Sequence, residues 1–305
     1  MKQIAVIGLG LMGTPISLRL MEAGYAVRGF DIVQAKVTAL VRRGSKRARS
    51  PQEAARGADL VILSLPSWKA VLDAVEGKNG IVGASHRGQI VIDASTSPPW
   101  ESRALGQRLS RQGIEWMDIP ISGSSVQART GNIVFMAGGK RSVFQKVKPV
   151  LDKIGKKTVY VGQSGHGATR KVAINHTLHI NQAAAVEGMV LGLKAGLDPD
   201  LLYEVMSSGG ASSDQLVTRG RDMLAGDFSL KSTVSVASKD TGLSLEMGKR
   251  LGVALPVGAL YHQFFLSAAT RGWDQKDATI VMKIYEELAH FTRKDRKSSS
   301  KKRKK

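Results

Sequence analysis

The chain has no cysteine. That absence excludes a disulfide framework, a thiol nucleophile and a thiolate-held metal. Long hydrophobic runs are missing as well. No apolar stretch reaches the ~18 residues of a membrane span. The first residues lack the long apolar region and small-residue cleavage site of a secretory signal, so a cytoplasmic location is expected. The six histidines are scattered, with no H-E-x-x-H and no metal-ligand spacing. His176 and His179 stand i, i+3 on a helical stretch with no third ligand, and read as packing or hydrogen-bonding residues. Gly-x-Ser-x-Gly is absent, which removes support for an esterase-type nucleophile. No P-loop pattern occurs.

Acidic residues are scarce: Asp+Glu number 25 against 45 Lys+Arg, for a formal net charge of +20 over 305 residues. Part of that excess is local. Arg293 to Lys305 carries nine Lys/Arg and one Asp. A basic segment without apolar residues cannot pack, so residues 292–305 read as a disordered tail. Its charge would allow contact with nucleic acid, an acidic surface or an anionic membrane. A solubilising tail with no dedicated partner is the simpler interpretation. The rest is ordinary globular material, with 42% hydrophobic and 23% charged residues.

The first half alternates short apolar strands with helical segments. Strands are expected at Gln3–Ile7, Tyr25–Phe30, Asp59–Leu65, Gln89–Ile92, Ile114–Asp118, Ile133–Met136 and Thr158–Val161. These runs are continuously apolar, as in parallel strands covered on both faces. Beyond Val161 helices take over. The longest is Gly167–Ala195, with Gly196 as its C-cap and Asp198-Pro199 opening the next helix. Further helices are expected at Leu201–Met206, Asp214–Leu224, Lys239–Leu251 and Val257–Arg271, with a loop at Ser207–Ser213. The domains are therefore set at 1–163 (an α/β Rossmann domain with a parallel doubly wound sheet), 164–291 (all-α) and the tail.

Gly8, Gly10 and Gly13 form a G-x-G-x-x-G that follows a strand and opens a helix. Gly8 permits a tight turn, Gly10 lets backbone approach a pyrophosphate, and Gly13 lets helix and strand pack closely. Leu11 and Met12 lie between them, where helix N-terminal N–H groups meet phosphate. Asp31 ends the second strand at the spacing of a ribose-binding acid. Its charge repels a 2′-phosphate, and Ile32 and Val33 supply no cation, so NAD is expected rather than NADP. Arg42, Arg43, Lys46, Arg47 and Arg49 are assigned to an exposed turn. Leu65, Pro66 and Thr96 fall at strand C-termini, where ligands of open α/β sheets bind. Met12, Met189 and Met282 read as core or cofactor-lining.

Asp118 to Ser124 follows another strand. N–H groups around Gly123, with the Ser122 and Ser124 hydroxyls, suit a carboxylate, although such a turn is often only a turn. Lys171 and Asn175 stand i, i+4 on one helix face. A lysine in a closed, partly dry cleft has its charged form disfavoured and could accept a proton from an alcohol. On spacing alone, a solvated lysine is the commoner case.

Together these segments resemble the β-hydroxyacid dehydrogenase family over residues 2 to 290. Gly8–Gly13 with Thr14 resembles its cofactor loop, and Asp118–Ser124 its D-x-P-x-S-G-G segment. Gly165 to Lys171 with Asn175 resembles G-x-G-x-x-x-K-x-x-x-N, and Lys239-Asp240-x-x-Leu243 the late K-D-x-x-L. The resemblance implies a Rossmann domain joined by a long helix to an all-helical domain, and a homodimer or homotetramer. It makes Lys171 the general acid/base and assigns Ser122, Gly123 and Asn175 to substrate. Lys239 would approach the nicotinamide end, and Asp240 would help fix the helix. Two positions depart from the pattern. Ser124 stands where the family has a second glycine, implying a smaller or more polar substrate, and Ile174 stands where relatives are often polar. Gly226–Leu243 and Gly272–Tyr285 look closer to the threonate-type branch. The expected activity is NAD-dependent interconversion of a small, 3-hydroxyisobutyrate-like hydroxy acid and its semialdehyde or keto acid. An imine reductase shares the scaffold but usually lacks the lysine. A nucleic-acid-associated relative using the basic tail is the non-enzymatic alternative.

Overall fold

The computed structural model describes residues 1–293. They divide into two compact units, Met1–Ile174 and the residues from Asn175 onward. The division falls inside one helix.

The first unit is a nine-stranded sheet with helices on both faces. Its strands are β1 Gln3–Ile7, β2 Ala26–Phe30, β3 Lys46–Arg47, β4 Leu60–Leu63, β5 Ile90–Asp93, β6 Glu115–Asp118, β7 Ile121–Ser122, β8 Val134–Gly138 and β9 Lys157–Gly162. They run in the order β3-β2-β1-β4-β5-β6-β8-β7, with β9 on β8. Pairing is parallel from β3 through β6. Ile4 and Val6 of β1 join Leu60, Ile62, Ile90 and Ile92 in one core layer. Ala5, Ile7, Val61, Leu63 and Val91 join the layer on the opposite face. Successive side chains point to opposite faces, so a strand buried on both sides must be apolar throughout. The helices of this unit are α1 Gly13–Glu22, α2 Gln34–Val41, α3 Pro51–Ala55, α4 Trp68–Glu76, α5 Pro99–Arg111, α6 Ser125–Arg129 and α7 Arg141–Ile154. The side chains of Ile16 and Leu20 on α1 are fully buried, each contributing about 1.5–3 kcal/mol.

The sheet is not parallel to its end. β8 pairs antiparallel with β6 and β7. Only residues 123–133 connect β7 to β8, and they hold the one-turn helix α6 (Ser125–Arg129). That is too short for a packed crossover, so the chain returns antiparallel. Lys46 and Arg47, assigned to an exposed turn, are exposed but form edge strand β3.

The helix α8 (His166–Lys194) spans the division between the units. In the second unit it is followed by α9 Pro199–Ser208, α10 Asp214–Ala225, α11 Val234–Leu251, α12 Pro256–Thr270 and α13 Met282–Leu288. Asp198 accepts from the Asp200 and Leu201 N–H groups and caps α9, as its sequence implies. Gly196 takes φ +85° behind α8. Two boundaries differ from expectation. α9 runs into the expected loop as far as Ser208. α11 starts at Val234, capped by Thr233, rather than at Lys239. Met189 and Met282 are core, whereas Met12 is only partly buried. His179 meets Phe265 edge-on at 5.4 Å, a packing role.

Arg293, assigned to the tail, is anchored in the second unit. Its guanidinium donates to the Met223 carbonyl and pairs with Glu286. The rest of the expected tail, residues 294–305, lies outside the described residues. No described helix is long and apolar enough to cross a membrane.

Candidate active site

The parallel strands end along one edge of the sheet, and the expected residues of the first unit gather there. Gly8 follows β1 with φ +94°. A Cβ there would lie 2.2 Å from the Ser64 carbonyl oxygen. A Cβ on Gly13 would lie 1.8 Å from the Gly8 carbonyl oxygen. Both positions require glycine by contact. Gly10 differs, since a Cβ there would meet nothing within 4 Å. The space above Gly10 is therefore open. Met12, at the N-cap of α1, makes no side-chain cap bond. An open glycine cradle beside an uncapped helix N-terminus fits a dinucleotide pyrophosphate. Leu11 is exposed at the rim, and the Thr14 hydroxyl donates to the Leu9 carbonyl at 2.8 Å.

Asp31 is buried just beyond β2. Its Oδ2 accepts from the Leu9 N–H and its Oδ1 from the Val33 N–H, both at 2.8 Å. The carboxylate thus ties the glycine loop to the second strand. Cations absent from the adjacent sequence do reach this corner. Lys36 Nζ lies 3.6 Å from Asp31 Oδ2. Arg47 donates to Gln34 Oε1 at 3.1 Å and to Thr38 Oγ1 at 2.7 Å. Helix geometry brings Lys36 back, since it lies one turn into α2 (Gln34–Val41). Arg47 arrives from the neighbouring strand, out of reach of local sequence reasoning.

Leu65 and Pro66 follow β4, and Thr96 follows β5. The Leu65 N–H donates to Ser95 Oγ at 2.9 Å. The buried Asp93 carboxylate accepts from the Ser95 N–H and from Ser97 Oγ, at 2.9 and 2.6 Å. These bonds fix both strand-end turns; Ser95 and Ser97 were missed in the sequence.

Ser122 and Gly123 lie beyond the end of β6, Gly123 with φ +137°. Ser124 is different. Its N–H donates to Gln127 Oε1 at 2.7 Å, and its hydroxyl accepts from the Gln127 N–H at 3.3 Å. This capping box at α6 engages the groups that were expected to face substrate. Ser124 is a helix cap here, and its hydroxyl, which accepts the Gln127 N–H, keeps its own proton to donate.

Asp118, at the end of β6, is fully buried. Its Oδ1 accepts from the Gly165 N–H at 2.6 Å and its Oδ2 from the Ala168 N–H at 2.7 Å. Burial pushes its pKa up to about 7, against the pull of those N–H groups, and Asp93 adds a smaller upward push. Lys171 stands one turn beyond Ala168 and is partly buried.

In the second unit, Asn175 is buried and donates from Nδ2 to Asp240 Oδ2 at 2.7 Å. Lys239 Nζ lies 3.1 Å from Asp240 Oδ1. The buried Asp240 thus joins two of the expected residues. Among the described residues no cluster of His, Cys, Asp or Glu could hold a metal ion.

Residues 3–162 match the NAD-binding domain of 6-phosphogluconate dehydrogenase. Residues 165–285 match the NAD-binding domain of NADP-dependent 3-hydroxyisobutyrate dehydrogenase. The chain is 33% identical to 2-(hydroxymethyl)glutarate dehydrogenase of Eubacterium barkeri, covering 94% of this chain and 95% of that protein. It is 33% identical to L-threonate dehydrogenase of Cupriavidus necator, covering 93% and 96%. The crystal structure of 3-hydroxyisobutyrate dehydrogenase from Salmonella typhimurium superposes with a TM-score of 0.86 at 26% identity, covering 93% of this chain and 100% of that one. An imine reductase from Pseudomonas sp. shares the fold, with a TM-score of 0.62 at 20% identity. With a glycine cradle, a buried acid bonded to it and relatives matched along nearly its whole length, the chain belongs to the β-hydroxyacid dehydrogenase family of NAD(P)-dependent oxidoreductases.

Proposed function

We propose that this enzyme interconverts a small hydroxy acid of the 3-hydroxyisobutyrate type and its semialdehyde or keto acid, with NAD preferred over NADP. A nicotinamide cofactor held by the Gly8–Gly13 cradle and Asp31 would supply the hydride acceptor. The protein's residues do the rest. The turn at Ser122 and Gly123 takes the substrate carboxylate. Lys171, in its neutral form, takes the hydroxyl proton as the carbinol C–H bond breaks, leaving the carbonyl product and a lysine ammonium. The family resemblance assigns Asn175, one turn along α8, to the substrate and Lys239 to the nicotinamide end. In the reductive direction the ammonium returns the proton.

One observation carries the proposal: Lys171 stands a single turn beyond the Asp118-bound start of α8, and Asp118 ends a strand of the sheet edge that holds the glycine cradle. NAD preference is supported by Asp31, whose buried carboxylate sits against the glycine loop. The substrate is assigned only by class, because relatives at similar identity are named for different acids. Purified enzyme should be assayed with NAD and NADP against 3-hydroxyisobutyrate, glycerate, threonate and serine. Positioned acid/base catalysis contributes about 10²–10⁴-fold. Lys171→Ala should lose turnover by that factor and keep its affinity for NAD. Undiminished turnover in this variant would remove Lys171 as the base.

A further inference from the structure

We propose that Asp118 is a positioning residue for Lys171, setting the rotation of α8 from the end of a strand some fifty residues earlier in the chain. The proposal rests on Lys171 acting as the base. Asp118 belongs to the segment assigned to substrate, yet both of its carboxylate oxygens turn to the helix start instead. Oδ1 takes the Gly165 N–H at 2.6 Å and Oδ2 the Ala168 N–H at 2.7 Å. The first N–H groups of a helix have no partner within the helix. Two bonds from one rigid carboxylate fix both the height of the first turn and its angle about the axis.

The surroundings leave this contact little freedom. A Cβ on Gly138 would lie 2.8 and 2.9 Å from the Asp118 carboxylate oxygens. A Cβ on Gly167 would lie 2.5 Å from the backbone oxygens of Asp118 and Met136 and 2.9 Å from Asp118 Oδ2. Strands β6 and β8 and the start of α8 therefore meet with no room for a side chain at either glycine. Asp118 is wholly enclosed, and burial opposes its charge. Asp93, its register partner on β5, carries the same charge. A helix cap alone could be made by a local serine or threonine at lower cost. Bonding α8 to β6 does more, because it ties the helix to the sheet edge that carries the cradle.

The geometry gives the scale. Lys171 follows Ala168 by three residues, close to one turn. A rotation of about 10° moves a group ~6 Å from the helix axis by about 1 Å. A misplacement of about 1 Å can cost on the order of 10²-fold in rate.

The test is a kinetic double-mutant cycle on the full chain with Asp118→Asn and Lys171→Ala. The amide keeps the carboxylate's shape but offers an N–H donor to one of the two helix N–H groups. Asp118→Asn should lower kcat by about 10–100-fold, with the NAD dissociation constant within about twofold of the parent and the circular dichroism spectrum retained. In the Lys171→Ala background the same change should alter the residual rate by less than about twofold, because there is no base left to misplace. An unchanged kcat in Asp118→Asn overturns the proposal. So does an equal loss with and without Lys171, which would make Asp118 a purely structural residue. Should Asp118→Asn fail to fold, Gly138→Ala, whose methyl presses on the same carboxylate, enters the same cycle. Undiminished turnover in Lys171→Ala alone is a separate result, and it overturns the base assignment itself.

Discussion

Asn175 donates its side-chain amide to Asp240 at 2.7 Å across 65 residues of sequence, and the other oxygen of the same carboxylate faces the Lys239 ammonium at 3.1 Å. One buried acid therefore sets two side chains assigned to substrate and cofactor. Losing the acid leaves a buried amide donor without its acceptor, at about 1–3 kcal/mol. Asp240→Ala should lower the melting temperature by several degrees. Asn175→Ala added to it should cost little more, since the shared bond is already gone. A stability cycle should read a coupling of about 0.5–3 kcal/mol. Strictly additive losses would show that the two side chains do not stabilise each other.

Gly10 and Gly13 should respond differently to the same methyl group. At Gly13 a Cβ would lie 1.8 Å from the Gly8 carbonyl oxygen, so Gly13→Ala must displace the loop and should lose both stability and cofactor binding. At Gly10 a Cβ meets nothing within 4 Å, and its φ is not among the positive ones. Gly10→Ala should leave the cofactor-free melting temperature unchanged or slightly raised, within about 1 kcal/mol. Its NAD affinity should still fall at least tenfold in calorimetry, because the methyl occupies the pyrophosphate's approach. Wild-type affinity in Gly10→Ala would place the phosphates elsewhere.

Sequence and structure agree where the determining pattern is local. The central strands could be read because each is buried on both faces and therefore carries a continuous apolar run, Ile4–Ile7, Leu60–Leu63 and Ile90–Ile92. Edge strand β3 is Lys46-Arg47, both exposed, and carries no hydrophobic signal. The Val234 start of α11 lies in Val-Ser-Val-Ala-Ser, where Thr233 provides the only start signal. The glycine cradle and Asp31 follow fixed spacings and could be identified in order. The bonds that orient the site could not, since Asp118 reaches 47 and 50 residues forward. Ser124 carries a second signal that was legible in the sequence, since Ser-x-x-Gln is a capping-box pattern and the box forms.

Cofactor choice should pivot on Asp31, with Lys36 in reserve. A hydrogen bond to a charged group contributes about 1.5–3 kcal/mol, or roughly 10–150-fold. Replacing the carboxylate with an amide in Asp31→Asn should reduce the NAD/NADP ratio of kcat/KM by a factor in that range. It also leaves the Lys36 ammonium, 3.6 Å away, without its counter-charge and available to a 2′-phosphate. Lys36→Ala in the Asp31→Asn background should therefore take back part of the gained NADP affinity, and added salt should do the same. An unchanged ratio in Asp31→Asn would mean that another group discriminates between the cofactors.

Asp118 should make stability fall as pH rises. Its folded pKa is raised to about 7 from the ordinary 3.8, chiefly by burial. Between those values the folded chain holds a proton that the unfolded chain has released. Folding is then favoured at the acid end, and the contribution is fully present below the unfolded value and lost as pH passes through the folded one. Urea unfolding followed from pH 4 to 8 should show this component decline, after subtraction of the same series for Asp118→Asn, which cannot titrate. Above pH 7 the carboxylate is ionised and both oxygens can accept the helix N–H groups, so the form best suited to hold α8 is also the one that burial penalises. Turnover per folded molecule should accordingly rise across the interval in which Asp118 reduces stability. A difference curve that is flat, or that rises with pH, would show that the Asp118 carboxylate is ionised throughout and adequately compensated where it stands.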